Sequence, residues 1–351
     1  MTASTPHRPG PLDAPFAQTV RALLIIGACL NFLLLCGYCY LRWHPISRPH
    51  LNRVSLRLLV YSQVANVIFC IILAVGVNLR AGPTPWCSVI DTLVYLTSMF
   101  SALIFFCMAL NLQLVLVHGV NGRMMEKYYV FGSSILALVC NITPLAAGQF
   151  GWNDVGHSCW FSDPDPAVRM RWLIGTQSFW VLSTAFGEVL VFLVIIGYII
   201  SQKVAIRRAL RDHAEKSGNS THSTPTGDWT MPSETPIGQY RNIILRISLY
   251  PLVSCLTNFS TRLLDLWQAK LQAGDPVITE ALWRMNVADA AIYALRPVLY
   301  FCLAASDPVR GFHFDSAELT LVHRLSSAAY KRSEEPGSRR RRGSIGVGAL
   351  I

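Results

Sequence analysis

Seven stretches of about 20 or more apolar residues run through this chain, and a run of that length constrains its fold more than any motif. A hydrocarbon core of roughly 30 Å takes about 20 helical residues to cross. No water bonds the backbone there, so each stretch is expected to close its own hydrogen bonds as a helix. The pattern predicts spans over 16–41, 56–79, 87–118, 128–147, 173–200, 243–267 and 281–304. Most of the 30 Lys and Arg fall in the segments after the first, third, fifth and seventh spans, whereas Arg8 is alone in the first 15 residues. Basic residues stay cytoplasmic. The expectation is an all-α membrane protein, a seven-transmembrane helix bundle with its N-terminus outside, its C-terminus inside and a short amphipathic helix after the seventh span.

Composition excludes an ordinary soluble domain. Hydrophobic residues make up 52% of the chain and charged residues 14%, against about 25% charged in soluble domains. The net charge of +10 follows from the inner loops and tail, which face anionic headgroups and acidic protein surfaces, so it implies no nucleic-acid partner. The first apolar run lacks a charged n-region and a small-residue cleavage site, and it reads as a retained helix. The organisation expected is an extracellular tail over 1–15, the bundle over 16–304 with a partly disordered third cytoplasmic loop at 201–242, an amphipathic helix over 306–326 and a basic disordered tail over 327–351. With so short an outer tail, a ligand pocket has to come from the helices and their outer loops.

Eight of the ten cysteines fall inside predicted spans, where Cys serves as a small apolar residue. Cys87, in Pro85-Trp86-Cys87, and Cys159, in His157-Ser158-Cys159-Trp160, are the pair on the oxidising side. They can form a disulfide, which would pin the second outer loop across the mouth of the bundle.

The seven spans, this cysteine pair, the run from Ala109 to Gly119 that closes the third helix, Gly151-Trp152, Cys159-Trp160-Phe161 and Tyr250-Pro251-Leu252 together resemble the G-protein-coupled receptors. The resemblance is to the cyclic-AMP-receptor-like group and its fungal relatives near the secretin-like class, and it covers roughly residues 17–305. It implies a receptor for an extracellular chemical that activates a heterotrimeric G protein through Gα, at the plasma membrane and without a cofactor. The rhodopsin-like activation switch does not carry over. The third helix ends in Val117-His118-Gly119 where an acidic-Arg-aromatic triplet would stand, and the seventh has Arg296 before Pro297 where that class carries Asn.

Polar residues inside a membrane are costly and face the bundle interior. Asn286, Asp289, Tyr293, Arg296 and Tyr300 share one face of the seventh span, and Asn258, Arg262 and Asp265 share one of the sixth. An outer set of Asp91, Tyr95, Gln177, Trp180, Arg262, Asp265, Arg284 and Asp289 either lines a ligand pocket or satisfies its own charges. Deeper, Asn66, Asn111, Glu188, Arg296 and Tyr300 read as structural or switching residues, and Asn31 and Asn66 as hydrogen-bond glue between helices. Pro251 and Pro297 each remove a backbone hydrogen bond and are hinge candidates. Lys203, Arg207, Arg208 and Arg211 lie on a basic run that prolongs the fifth helix, where a G protein or anionic lipid headgroups would dock. In the tail, Arg339-Arg340-Arg341-Arg342-Gly343-Ser344 reads as a lipid-binding patch and a basophilic-kinase site at Ser344. Three Asn-x-Ser/Thr matches at Asn141, Asn219 and Asn258 fall in helices or on the inner side and read as accidental.

Other seven-helix classes fit less well. A retinal protein needs a Schiff-base Lys in its last helix, and the seventh span has none. A zinc hydrolase needs converging His and carboxylate ligands, yet the nine histidines lie in tails, loops or, for His118, at the inner end of the third helix. No metal site and no enzyme activity are therefore expected. A proton-coupled or facilitative transporter is the alternative, with Glu188, Asp265 and Asp289 as possible proton carriers, although no internal repeat is visible.

Overall fold

The computed structural model describes residues 13–45, 54–79, 84–118, 120, 122–153, 158–218, 236–274 and 280–306. The helices are α1 (Asp13–Trp43), α2 (Val54–Leu79), α3 (Trp86–His118), α4 (Gly122–Ala146), α5 (Pro166–Trp172), α6 (Phe179–Gly218), α7 (Pro236–Gly274) and α8 (Glu280–Ser306). Leu173–Ser178 is a π-helical turn joining α5 to α6, so the fifth apolar rod is helical from Pro166 rather than from Leu173. Asp165 starts it by accepting a hydrogen bond from the Ala167 N–H, with Pro166 in the first turn, as proline's fixed φ and missing N–H favour. The fourth helix likewise begins earlier than its apolar run implies, at Gly122 rather than Tyr128, because helical structure continues through the polar residues at its inner end.

Six of these helices are long and apolar enough to cross a membrane: Phe16–Trp43, Val54–Gly76, Trp86–Val115, Met124–Ala146, Pro166–Ser201 and Arg284–Ala305. The chain is thus a multi-pass helical membrane bundle. The six do not include α7, where a full span was expected. Its C-terminal half carries Asn258, Thr261, Arg262, Asp265 and Gln268, and every one of them is buried. Leu256, Phe259, Leu263 and Trp267 of the same helix are exposed. Polarity turned inward and apolar side chains turned outward invert the pattern of a soluble helix. Across the bundle Phe32, Leu33, Phe131 and Phe186 are exposed in the same way.

The loop after α4 departs from a purely helical architecture. Gly148, at φ +66°, takes the left-handed conformation that glycine tolerates, and the chain turns into two antiparallel strands, β1 (Phe150–Asn153) and β2 (Ser158–Phe161). Phe150 pairs with Phe161 and Trp152 with Cys159. The hairpin is fastened to α3 by the Cys87–Cys159 disulfide and by Ser88 Oγ donating to the Phe150 carbonyl at 2.6 Å. Its buried residues Phe150, Trp160 and Phe161 form one cluster with Tyr95, Leu173 and Ala269. At the other end of the bundle Leu58, Phe105, Met108, Tyr129, Tyr250 and Tyr300 make a second.

Beyond Ser201, α6 runs on to Gly218 and carries Lys203, Arg207, Arg208 and Arg211, a reach of about 25 Å at 1.5 Å per residue. The outer tail before Asp13, the loop over 219–235 with Asn219, the segment expected to be an amphipathic helix at 306–326 (Ser306, in α8, excepted) and the basic tail with Ser344 lie outside the described residues.

Candidate functional site

Arg262 and Asp265 sit three residues apart on α7, so both point from one face. Arg262 Nη1 donates to Asp265 Oδ2 at 2.7 Å, and both side chains are almost fully buried. Taking two charges out of water is costly, and an ion pair offsets that cost only where other partners help. Here α3 supplies one: the guanidinium carbon of Arg262 lies 5.5 Å from the centroid of the Tyr95 ring, within the range of a cation–π contact. The Tyr95 hydroxyl in turn accepts from Trp160 Nε1 at 2.7 Å, and its ring stacks on Phe150 at 5.8 Å. The carboxylate of Asp289, on α8, adds negative potential toward Arg262. Asp91, one turn outward from Tyr95, is buried too. The hairpin is therefore a cap whose aromatic side chains rest on Tyr95, which rests on the ion pair.

The other outer candidates do not join this group. Gln177 turns to α4 and donates from Nε2 to Asn141 Oδ1 at 2.8 Å. Trp180 packs against the cluster of Met99, Leu103, Ala137, Cys140 and Val181, from α3, α4 and α6. Arg284 is exposed near the N-terminal end of α8. The eight expected residues thus divide between a central cluster, a seam to α4 and the surface. Asn141 and Asn258 are both buried inside helices, Asn258 donating to Ser254 Oγ at 3.0 Å. Trp160 and Phe150, which complete the cluster, are not among the expected pocket residues because they belong to a loop, although Cys159-Trp160-Phe161 stands among the residues that carry the resemblance.

Deeper in the bundle a second polar group surrounds Arg296 of α8. Its Nη1 donates to Ser98 Oγ at 2.7 Å and its Nη2 to the Ser98 carbonyl at 3.3 Å, tying α8 to α3. Its guanidinium lies 5.5 Å from the Tyr300 ring centroid. Tyr300 packs on Phe105 with centroids 4.4 Å apart, and its hydroxyl meets Thr257 Oγ1 of α7 at 3.3 Å. Between α2 and α3, Ser62 and Ser101 share a hydrogen bond of 2.8 Å, and Ser101 donates to Asn66 Oδ1 at 3.2 Å. Glu188 of α6 is buried beside Ser254 and toward Arg296. Yet neither of its carboxylate oxygens has a hydrogen-bond partner among the described residues. The same holds for Asn66 Nδ2, both polar atoms of Gln63, Arg296 Nε and Asn111 Oδ1.

Two helix joints frame this group. Asn31 of α1 donates from Nδ2 to the Gly27 carbonyl at 2.7 Å and to the Pro297 carbonyl at 3.0 Å. At the end of the bundle away from the hairpin Arg57 and Glu126 form a two-pronged ion pair between α2 and α4, with Nε to Oε1 at 2.9 Å. A Cβ at Gly122 would meet Asn111 Oδ1 at 2.6 Å, so only glycine lets α4 begin against that side chain. Among the described residues no three His, Cys, Asp or Glu side chains converge as metal ligands.

Compared with known proteins, the chain matches no family model and no curated sequence. Fold and site together define a multi-pass helical membrane protein with a disulfide-fastened cap over a buried ion pair.

Proposed function

We propose that this chain is a seven-helix receptor that senses an extracellular chemical and activates a heterotrimeric G protein at the plasma membrane. In this reading α7 is the sixth span and brings the number of spans to seven, because its polar side chains face protein and its apolar ones face outward. The N-terminus is outside, on the side of the Cys87–Cys159 disulfide, and the basic connections are inside.

The observation that carries the reading is the stack from cap to ion pair: Trp160 on Tyr95, Tyr95 on Arg262, Arg262 on Asp265. A ligand that displaces Trp160 or competes for either charge changes how α3 packs on α7 and so shifts the balance of two bundle states. Further in, α7 contacts Tyr300 through Thr257, next to Arg296 and Pro297, while Pro251 interrupts the hydrogen bonds of α7 itself. The basic extension of α6, with Lys203, Arg207, Arg208 and Arg211, attracts an acidic Gα surface.

The test is direct. The purified protein in nanodiscs is mixed with a nucleotide-free heterotrimer, and the expected result is a complex that GTPγS dissolves and that charge reversal at Arg207 and Arg208 weakens. The transporter reading draws on Glu188, buried without a hydrogen-bond partner among the described residues. Proton-coupled flux in proteoliposomes that is abolished by Glu188→Gln would replace the receptor reading.

A further inference from the structure

Three arginines are buried among the described residues: Arg169, Arg262 and Arg296. A guanidinium taken out of water is costly unless other groups pair with it. Arg262 has the Asp265 carboxylate, and Arg296 has Ser98. Arg169, only 3% exposed, has no such group. Its backbone is satisfied as helix, with the N–H donating to the Asp165 carbonyl at 3.0 Å and the carbonyl accepting from the Leu173 N–H. Its guanidinium makes no hydrogen bond and no ion pair among the described residues. Nε is sealed from any surface, whereas Nη1 and Nη2 are not, so the tip of the fork keeps a narrow opening.

The position of Arg169 joins water to the cap. It lies one helical turn, about 6 Å, past Asp165, and Asp165 is exposed. On its other side Met170, Trp172 and Leu173 pack into the cap cluster with Tyr95, Trp160 and Ala269. Asp163 is near enough for its charge to reach Arg169. No hydrogen bond joins the two, however, and Asp163 Oδ1 accepts from the Asp165 N–H at 2.9 Å. Two unmatched N–H groups at the tip of one guanidinium fit the two oxygens of a planar oxyanion, side by side. One positive charge with the Asp163 carboxylate close by balances a single negative charge and disfavours two. The matching group is therefore a carboxylate rather than a phosphate dianion.

We infer that Arg169 holds the carboxylate of a ligand arriving at the water boundary of the cap, with Nη1 and Nη2 donating to its two oxygens. The site needs only that the hairpin face meets water, and it is independent of the receptor reading. Because Arg169 stands one turn before Leu173, which packs with Tyr95 of α3 and Ala269 of α7, an occupant would bias how the cap seats on those helices.

The experiment uses the full chain in phosphatidylcholine nanodiscs and para-trifluoromethylbenzoate as probe, with binding read from the broadening of its fluorine resonance. Saturable broadening that benzoate reverses is expected, whereas para-trifluoromethylbenzamide, the same shape without the charge, should bind far more weakly. Arg169→Gln should weaken the probe about 10- to 100-fold, the effect of losing charge-assisted hydrogen bonds. Arg169→Lys, which keeps the charge and loses the fork, should weaken it less. Asp163→Asn removes the opposing charge at a partly exposed position and should tighten binding about 2- to 5-fold, a gain that a merely structural Arg169 would not produce. Nanodiscs containing phosphatidylserine separate two sources of the carboxylate: unchanged probe affinity marks a soluble ligand, and loss of the probe marks a lipid headgroup in the same site. Equal broadening of the benzamide would overturn the inference, as would unaltered affinity in a folded Arg169→Gln protein. Should that variant not fold, unchanged or weaker binding to the Asp163→Asn protein would overturn it instead.

Discussion

The half of this bundle under the hairpin, outer in the receptor reading, and the inner half opposite it use the same kinds of side chain to opposite ends. In the outer half a buried charge meets a carboxylate, an aromatic face and, through Tyr95, an indole N–H, and a covalent bond fastens the cap. In the inner half Arg296 holds one serine and Glu188, Gln63, Asn66 and Asn111 keep polar atoms without hydrogen-bond partners among the described residues, as Arg262 Nε, Gln177 Oε1 and Ser178 Oγ do in the outer half. An unmade buried hydrogen bond costs about 1–3 kcal/mol in either half, so what sets the outer half apart is its fully buried ion pair and its disulfide.

Arg262→Ala tests that contrast most severely. It leaves the buried Asp265 uncompensated, and thermal unfolding in nanodiscs should register a loss of about 3–5 kcal/mol; Arg262→Ala with Asp265→Ala should recover much of it. Cys159→Ser releases a cross-link spanning 72 residues, with an expected loss of about 2–5 kcal/mol. A proton-deuterium exchange profile should show that loss concentrated in the hairpin, and loss spread over α1 and α2 would mean that the cap is no separate unit. Trp160→Phe keeps the ring and removes the donor to Tyr95, costing about 1–3 kcal/mol because a buried hydroxyl loses its partner. Glu188→Gln carries the opposite sign. Removing a buried, unbonded carboxylate should leave stability unchanged or raise it by about 1 kcal/mol, and a loss comparable to that of Arg262→Ala would erase the distinction between the halves.

The rods were legible because a bilayer imposes one length and one composition on whatever crosses it. Arg262 and Asp265 were legible too, since i,i+3 spacing places them on one face; what the spacing hid is that the pair closes within α7 rather than between helices. The hairpin was not, because four-residue strands are too short to establish a period of two. Gln177 and Trp180 were assigned inward on polarity and position alone. The helix continues into them through a π turn, which changes the angular register by which a face is read, and both side chains end against α4 and α3. Pro144, inside α4, went unnoticed because proline is common in membrane helices.

Asn31 does more than hold α1 to α8. Proline at 297 costs α8 the hydrogen bond its own N–H would have made to Tyr293, so the helix is mechanically weakest there, and the carbonyl of that same residue is gripped by Asn31. Gly27 leaves just enough room for this, since a Cβ there would come within 3.2 Å of the Pro297 ring. The weak point of α8 is thus splinted from outside the helix. Torque applied at its outer end is passed to the inner end through a joint whose stiffness belongs to α1, so a protein tag or fusion that strains α1 should be felt at the opposite face of the membrane.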